Sequence, residues 1–190
     1  MPGSAALDDG SLFARARSGD GEALTFLVDR HKDALVNYLT RLSGCRDRAE
    51  DVAQETFVRL LERSARYVER GKLRPYLYRI ATNLVRTEQR REQRWRLLQP
   101  RLAAGNGAGA EPRQLAALER RELGAILAAG LERVPLRYRV PLVLRDVEDW
   151  TYAEIADLLG CKAGTVKSRI HRGRESLRRL VAPYWNGEPS

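Results

Sequence analysis

Residues 151–180 read TYAEIADLLGCKAGTVKSRIHRGRESLRRL, and the spacing within this stretch specifies a helix-turn-helix. Thr151 followed three residues on by Glu154 is a capping box: a hydroxyl and a carboxylate placed to satisfy the free N–H groups of a first helical turn. A helix is therefore expected from Tyr152, and Gly160 supplies the left-handed residue that ends it after Leu159. A second helix follows within a few residues. On it Val166, Ile170, Gly173, Leu177 and Leu180 recur at intervals of four and three, a single stripe turned to a core.

At about 100° per residue the opposite face is fixed by that stripe. It carries Gly164, Ser168, His171, Arg172 and Glu175, flanked by Thr165, Lys167, Arg169 and Arg179. Lys167 and Arg172 bring several donors to guanine edges and phosphates, while Ser168 and His171 can donate or accept close to a base. Lys162, just before the helix, is expected at a phosphate. A basic amphipathic helix can equally be a solvated surface; the capped helix and short turn in front of it favour DNA.

Upstream, a helix is expected to start at Pro135, with Pro141 inside it threatening a kink or an unpaired carbonyl, and another spans Leu115 to Leu131. Before these the composition changes. Residues 97–114, LLQPRLAAGNGAGAEPRQ, hold three glycines and two prolines and read as a flexible linker. The chain is thus expected to be all-α, two small helical domains at 1–96 and 115–190 joined by that linker. No stretch has the strict alternation of a strand.

The N-terminal domain begins with a short helix near Ser11–Arg17 and a longer one marked by Leu24, Leu27, Val28, His31, Leu35, Tyr38, Leu39 and Leu42. His31 reads as a histidine at the core edge, with no partner Ser, Cys or carboxylate placed to use it. A third helix, near Arg46–Ser64, buries Ala49, Val52, Ala53, Phe57, Leu60 and Leu61. Its exposed side stacks Asp47, Asp51 and Glu55 at intervals of four, where like charges repel by a few tenths of a kcal/mol per pair. The positive end of the helix dipole accounts for the first of these but not for Glu55. Either an outside partner uses the stripe, or it is a solvated face with Arg59 pairing Glu55.

A fourth helix opens near Leu73 or Pro75 and passes from an apolar stripe into RTEQRREQRWR, residues 86–96, suited to a phosphate backbone. Tyr76 and Tyr78 at its start and Trp95 at its end are aromatics beside cations, as a site for unpaired bases requires, although aromatics at helical spacing are often core. Charge follows the same map. Net charge is +9; residues 71–101 hold nine Lys or Arg against two Glu, and residues 161–182 seven against one. Only Cys45 and Cys161 occur, with no third ligand near either, so neither zinc nor a disulfide framework is expected, no cofactor is called for, and the compartment is expected to be reducing. No run approaches the roughly 18 apolar residues of a membrane span, and the first residues lack a signal-peptide pattern.

Three segments, in order, resemble the extracytoplasmic-function (ECF) group of bacterial sigma-70 factors. DRAEDVAQETFVRL, residues 47–60, is similar to the region 2 helix that binds the polymerase β′ clamp helices, with Asp51, Gln54, Glu55 and Phe57 at matching positions. YLYRIATNLVRTEQRR, residues 76–91, is similar to the segment that melts the promoter at the −10 element. The resemblance places Tyr76, Arg79, Asn83, Arg86, Thr87 and Arg90 there, with Tyr76 where the family usually has Trp. WTYAEIADLLGCKAGTVKSRIHRGR is similar to the region 4 reader of the −35 element, with Lys162, Thr165, Lys167, Ser168, Arg169, His171 and Arg172 on its DNA side.

The resemblance implies an initiation factor that binds core RNA polymerase (β′ clamp helices and β flap) and promoter DNA, an anti-sigma factor as a further partner, and a cytoplasmic, nucleoid-associated location. It implies no enzyme activity and no membrane insertion. A stand-alone helix-turn-helix regulator is the alternative; a nuclease with a metal at Asp51 and Glu55 would need further ligands there. If the domains must reach two separated promoter elements, deleting residues 105–110 is expected to lower promoter-dependent transcription while each domain keeps its own DNA contacts. Transcription assays with the shortened chain check this, and an unchanged rate would oppose it.

Overall fold

The computed structural model describes residues 8–62, 73–98 and 115–185, and among them every regular element is a helix. The N-terminal set is α1 (Asp9–Arg17), α2 (Gly21–Ser43), α3 (Arg46–Glu62) and α4 (Leu73–Leu98); the C-terminal set is α5 (Leu115–Arg133), α6 (Leu136–Asp146), α7 (Tyr152–Leu159) and α8 (Ala163–Trp185). Residues 99–114, most of the expected linker, lie outside the described residues.

Short polar side chains start the first two helices. Asp8 accepts from the Ser11 N–H and Asp20 from the Ala23 N–H, each at 3.0 Å, and these backbone bonds hold both carboxyls below their ordinary range. α2 stops at Gly44, whose φ of 74° is left-handed. Between α1, α2, α3 and α4 lies a core of fully buried Leu12, Leu27, Leu35, Leu39 and Leu60, each contributing about 1.5–3 kcal/mol by burial. Within it the Tyr38 hydroxyl meets Thr82 Oγ1 at 2.8 Å, and burial pushes that phenol's pKa well above its usual value. His31 does sit half-buried at the core edge, but it has a carboxylate: its Nε2 lies 2.9 Å from Asp9 Oδ2, beside an Arg30–Asp9 pair at 2.8 Å. The histidine thereby ties α1 to α2.

In the C-terminal set α6 runs through Pro141 to Asp146 with the ring buried. α8 crosses α6 closely at Gly173, where a β-carbon would lie 3.1 Å from the Tyr138 carbonyl. Val166 and Ile170 are buried and Leu177 and Leu180 half-buried, so the apolar stripe faces the core as its spacing requires.

The two sets pack against each other, which the sequence did not suggest. The rings of Tyr38, Tyr78 and Trp150 form a row with centroids 4.8 and 5.2 Å apart. Asp149 precedes Trp150 in the left-handed conformation, φ 57°, which a short acidic side chain tolerates. The Tyr78 hydroxyl donates to Glu148 Oε2 at 2.8 Å and Arg74 Nη2 approaches the same oxygen at 3.3 Å. Burial, then Glu148, raise the Tyr78 phenol's pKa.

Deeper in the junction, Arg139 is 7% exposed and spends its guanidinium on carbonyls alone. It donates to Leu42 O at 2.6 Å, to Val134 O at 2.9 and 3.1 Å, and to Glu132 O. Burial lowers its pKa and Glu132 offsets part of that. Arg139→Met strands these acceptors, so unfolding free energy is expected to fall by about 2–4 kcal/mol, measured by urea titration.

Candidate functional site

Local chemistry sets the roll of α8. The Thr151 N–H donates to Glu154 Oε2 at 2.8 Å, and the Glu154 N–H donates to Thr151 Oγ1 at 3.2 Å; Gly160 closes α7 at φ 63°. With α7 so fixed and Val166 and Ile170 buried, Lys162, Lys167, Ser168, His171 and Arg172 are all exposed on one side. Lys167 Nζ lies 5.5 Å over the Tyr152 ring, and Ser168 Oγ donates to Thr165 O at 2.9 Å. Thr165 is half-buried.

Two residues behave differently from the rest. Arg169 is half-buried and turns its Nη1 to Cys161 Sγ at 3.9 Å, near Arg86 of α4 and off the exposed face. Arg172 is exposed but reaches the Tyr138 hydroxyl at 3.4 Å, and Arg137 stacks 4.7 Å from that ring. The Arg172 bond lowers the Tyr138 pKa. Neither Tyr138 nor Arg137 was legible as part of this surface, because only the crossing of α6 and α8 brings them there.

On α4, Asn83, Thr87 and Arg90 are exposed, and Thr87 Oγ1 donates to Asn83 O at 2.8 Å. Tyr76 and Arg86 are half-buried; burial lowers the Arg86 pKa. Arg79 is committed elsewhere, its Nη2 donating to Asp157 O of α7 at 2.9 Å. One arc of α4 carries all six. Trp95 is not on that arc: it is 62% exposed, but twelve residues beyond Asn83 place it about 120° round the helix.

On α3, Asp51, Gln54 and Glu55 are exposed, while Phe57 is 7% exposed and anchors the helix from beneath. Glu55 does accept from Arg59 at 2.6 Å, the pairing a solvated face would make, though such exposed pairs contribute little. Val58, 50% exposed, shares the face with Gln54 and Glu55. Its spacing of four and three from those residues, off the buried stripe, was the overlooked signal. Among the described residues no group of three or more His, Cys, Asp or Glu converges to hold a metal ion, and no helix is long and apolar enough to cross a membrane.

Two family profiles cover these surfaces. The one described as Sigma-70 region 2 matches residues 27–96, taking in the α3 and α4 faces, and the one described as Sigma-70, region 4 matches residues 125–177, containing the helix-turn-helix. The chain belongs to the sigma-70 family. As such it is a promoter-directing initiation factor of RNA polymerase, and sigma factors are initiation factors rather than catalysts.

Relatives place this sigma factor in the ECF group. It is 39% identical over 158 residues to the ECF RNA polymerase sigma factor SigE of Mycolicibacterium smegmatis, a match covering 83% of this chain and 61% of that protein. To SigW of Bacillus subtilis it is 32% identical over 88% of this chain and 93% of that one. Among solved structures it is similar to CnrH in complex with the cytosolic domain of CnrY, with a TM-score of 0.63 at 26% identity over 92% of this chain and 97% of that one. It shares its fold with the sigma factor RpoE of Bartonella quintana in complex with the anti-sigma factor NepR, with a TM-score of 0.65 at 22% identity, covering 82% and 94%.

The capping box is a single reciprocal unit. Thr151→Ala and Glu154→Ala are each expected to cost about 1 kcal/mol, and the double variant clearly less than the sum. Thermal unfolding of the three variants measures this; additive losses would show that the two side chains act separately.

Proposed function

We propose that the sigma factor divides its work among three helix faces. The exposed side of α8 reads the −35 element: Lys167, Ser168, His171 and Arg172 face the bases, Lys162 and Thr165 meet phosphates near the turn, and Arg169 engages the backbone once it is released from Cys161. On α4, Tyr76, Arg79, Asn83, Arg86, Thr87 and Arg90 engage the −10 element as it opens. On α3, Asp51, Gln54 and Glu55, with Phe57 beneath them, bind core polymerase at its β′ clamp helices, and the C-terminal domain meets the β flap.

The observation that carries this reading is the joint exposure of Lys167, Ser168, His171 and Arg172 on a helix whose roll is fixed by buried Val166 and Ile170. A base-reading face must present its donors at a set angle, since each well-placed bidentate contact is worth about 1–3 kcal/mol of discrimination. Phosphate contacts from the basic flanks add affinity that falls as salt rises. In the closed arrangement Arg79 is bonded to α7, so engagement of the −10 element requires the two domains to part.

CnrH is in complex with the cytosolic domain of CnrY, and RpoE with the anti-sigma factor NepR. We infer that a comparable anti-sigma protein holds this chain, which then acts in the cytoplasm at the nucleoid.

The test is reconstitution. Purified chain added to core polymerase is expected to open a matching promoter, detected by the reactivity of unpaired thymines, where neither component does so alone. Within that assay, Arg172→Ala is expected to cost about 1–3 kcal/mol on the preferred −35 sequence and much less on single-base variants opposite it. Arg179, which pairs with Glu175 one turn further along, provides the contrast: Arg179→Ala is expected to weaken every sequence alike. Equal weakening of all sequences by Arg172→Ala would remove it from base reading.

A further inference from the structure

The basic end of α4 carries one feature that the DNA-facing arc leaves unused. Trp95 is 62% exposed, and it lines a groove of about 560 Å³ between α3 and α4 together with Arg48, Asp51, Glu88, Arg91 and Glu92. A side chain that large leaves considerable apolar surface in water, and aromatic anchors of this kind are enriched where protein partners dock.

The groove is poorly matched to nucleic acid. Three carboxylates line it against two guanidinium groups, and Arg48 is bridged to Glu92 at 2.7 Å. Burial raises the pKa of Glu88; Arg48 opposes this, while Glu92 and Asp51 add to it, so an incoming cation would relieve the site. A phosphate would meet repulsion instead. The groove is also continuous with the polymerase face, because Asp51 belongs to both, and Glu55 and the half-exposed Val58 continue the same side of α3.

We propose that the α3–α4 groove extends the polymerase-binding face, receiving a basic, amphipathic helical segment of core RNA polymerase whose apolar side seats on Trp95 and whose lysines or arginines reach Asp51 and Glu88. This rests on the assignment of α3 to polymerase binding, and it makes Trp95 an anchor for protein rather than a platform for bases.

The experiment compares full-length wild type, Trp95→Ala, Trp95→Phe, Glu88→Lys and the double variant Gln54→Ala/Glu55→Ala, which leaves the groove lining intact. Affinity for purified core polymerase is measured first; binding of a single-stranded −10 oligonucleotide is then measured with core in saturating excess. Trp95→Ala is expected to weaken core binding about tenfold or more, with Trp95→Phe recovering most of it and oligonucleotide binding unchanged. Glu88→Lys, which reverses a charge without touching the tryptophan, is expected to weaken core binding as well.

Core affinity within twofold of wild type for both Trp95→Ala and Glu88→Lys overturns the proposal, and a concurrent loss of oligonucleotide binding in Trp95→Ala assigns that residue to bases. The double variant separates the two assignments. If it loses core binding while neither Trp95→Ala nor Glu88→Lys does, α3 keeps its role and the groove is excluded; the opposite pattern retains the groove with Asp51 and removes Gln54 and Glu55 from the contact. Thermal midpoints are expected to match wild type for the Trp95 variants, since the side chain is exposed.

Discussion

Arg139 is the point on which the arrangement of helices turns. Carbonyls near the C-terminal ends of α2 and α5 converge on its guanidinium, so that one cation from α6 satisfies groups that helix geometry leaves without partners. A buried arginine with no carboxylate bonded to it is costly unless its donors are used, and here three of its nitrogens find carbonyl oxygens. The contact crosses between domains, because Leu42 belongs to one and Glu132 and Val134 to the other. From that fixed junction α6 carries α8 through the close approach at Gly173, and the angle of the exposed α8 face follows.

The same junction sets two uses of one surface against each other. Arg79 and Arg86 lie on the arc of α4 proposed to engage the −10 element, yet one is bonded to Asp157 and the other is half-buried near Arg169. Contacts that hold the domains together are thus made partly by side chains proposed above to engage DNA. Individually they are modest: Arg79 and Asp157 are both substantially exposed, and such pairs are screened by solvent and salt. The aromatic row of Tyr38, Tyr78 and Trp150 is the more durable part, since it removes large apolar area from water.

What could be read in the sequence was whatever is written in short-range spacing. Thr151 and Glu154 announce a capping box, Gly160 a helix end, and the stripe from Val166 to Leu180 a buried side, and each stands as its spacing dictates. The features that escaped reading depend on the packing of distant segments. Nothing near His31 points to Asp9, twenty-two residues away, and nothing near Arg172 points to Tyr138. Arg169 and Trp95 fall between these cases: periodicity places both on helices, but only the packing of neighbouring helices turns Arg169 to Cys161 and leaves Trp95 exposed beside α3. The helix-turn-helix was legible because it is local; the closed junction was not, because Arg139 gives no local sign of the Leu42 carbonyl it will meet.

Gly173 has a consequence for how such a protein can diverge. By bringing α8 against the Tyr138 backbone without an intervening side chain, it places the angle of the helix in the care of one buried position, while Ser168, His171 and Arg172 remain outside the core. Those outer residues are then free to vary with little penalty in folding, and on the proposed reading of α8 each change would alter which DNA is preferred. On that reading the scaffold is suited to duplication and drift, with copies acquiring separate sets of target genes while the frame that aims them is inherited unchanged.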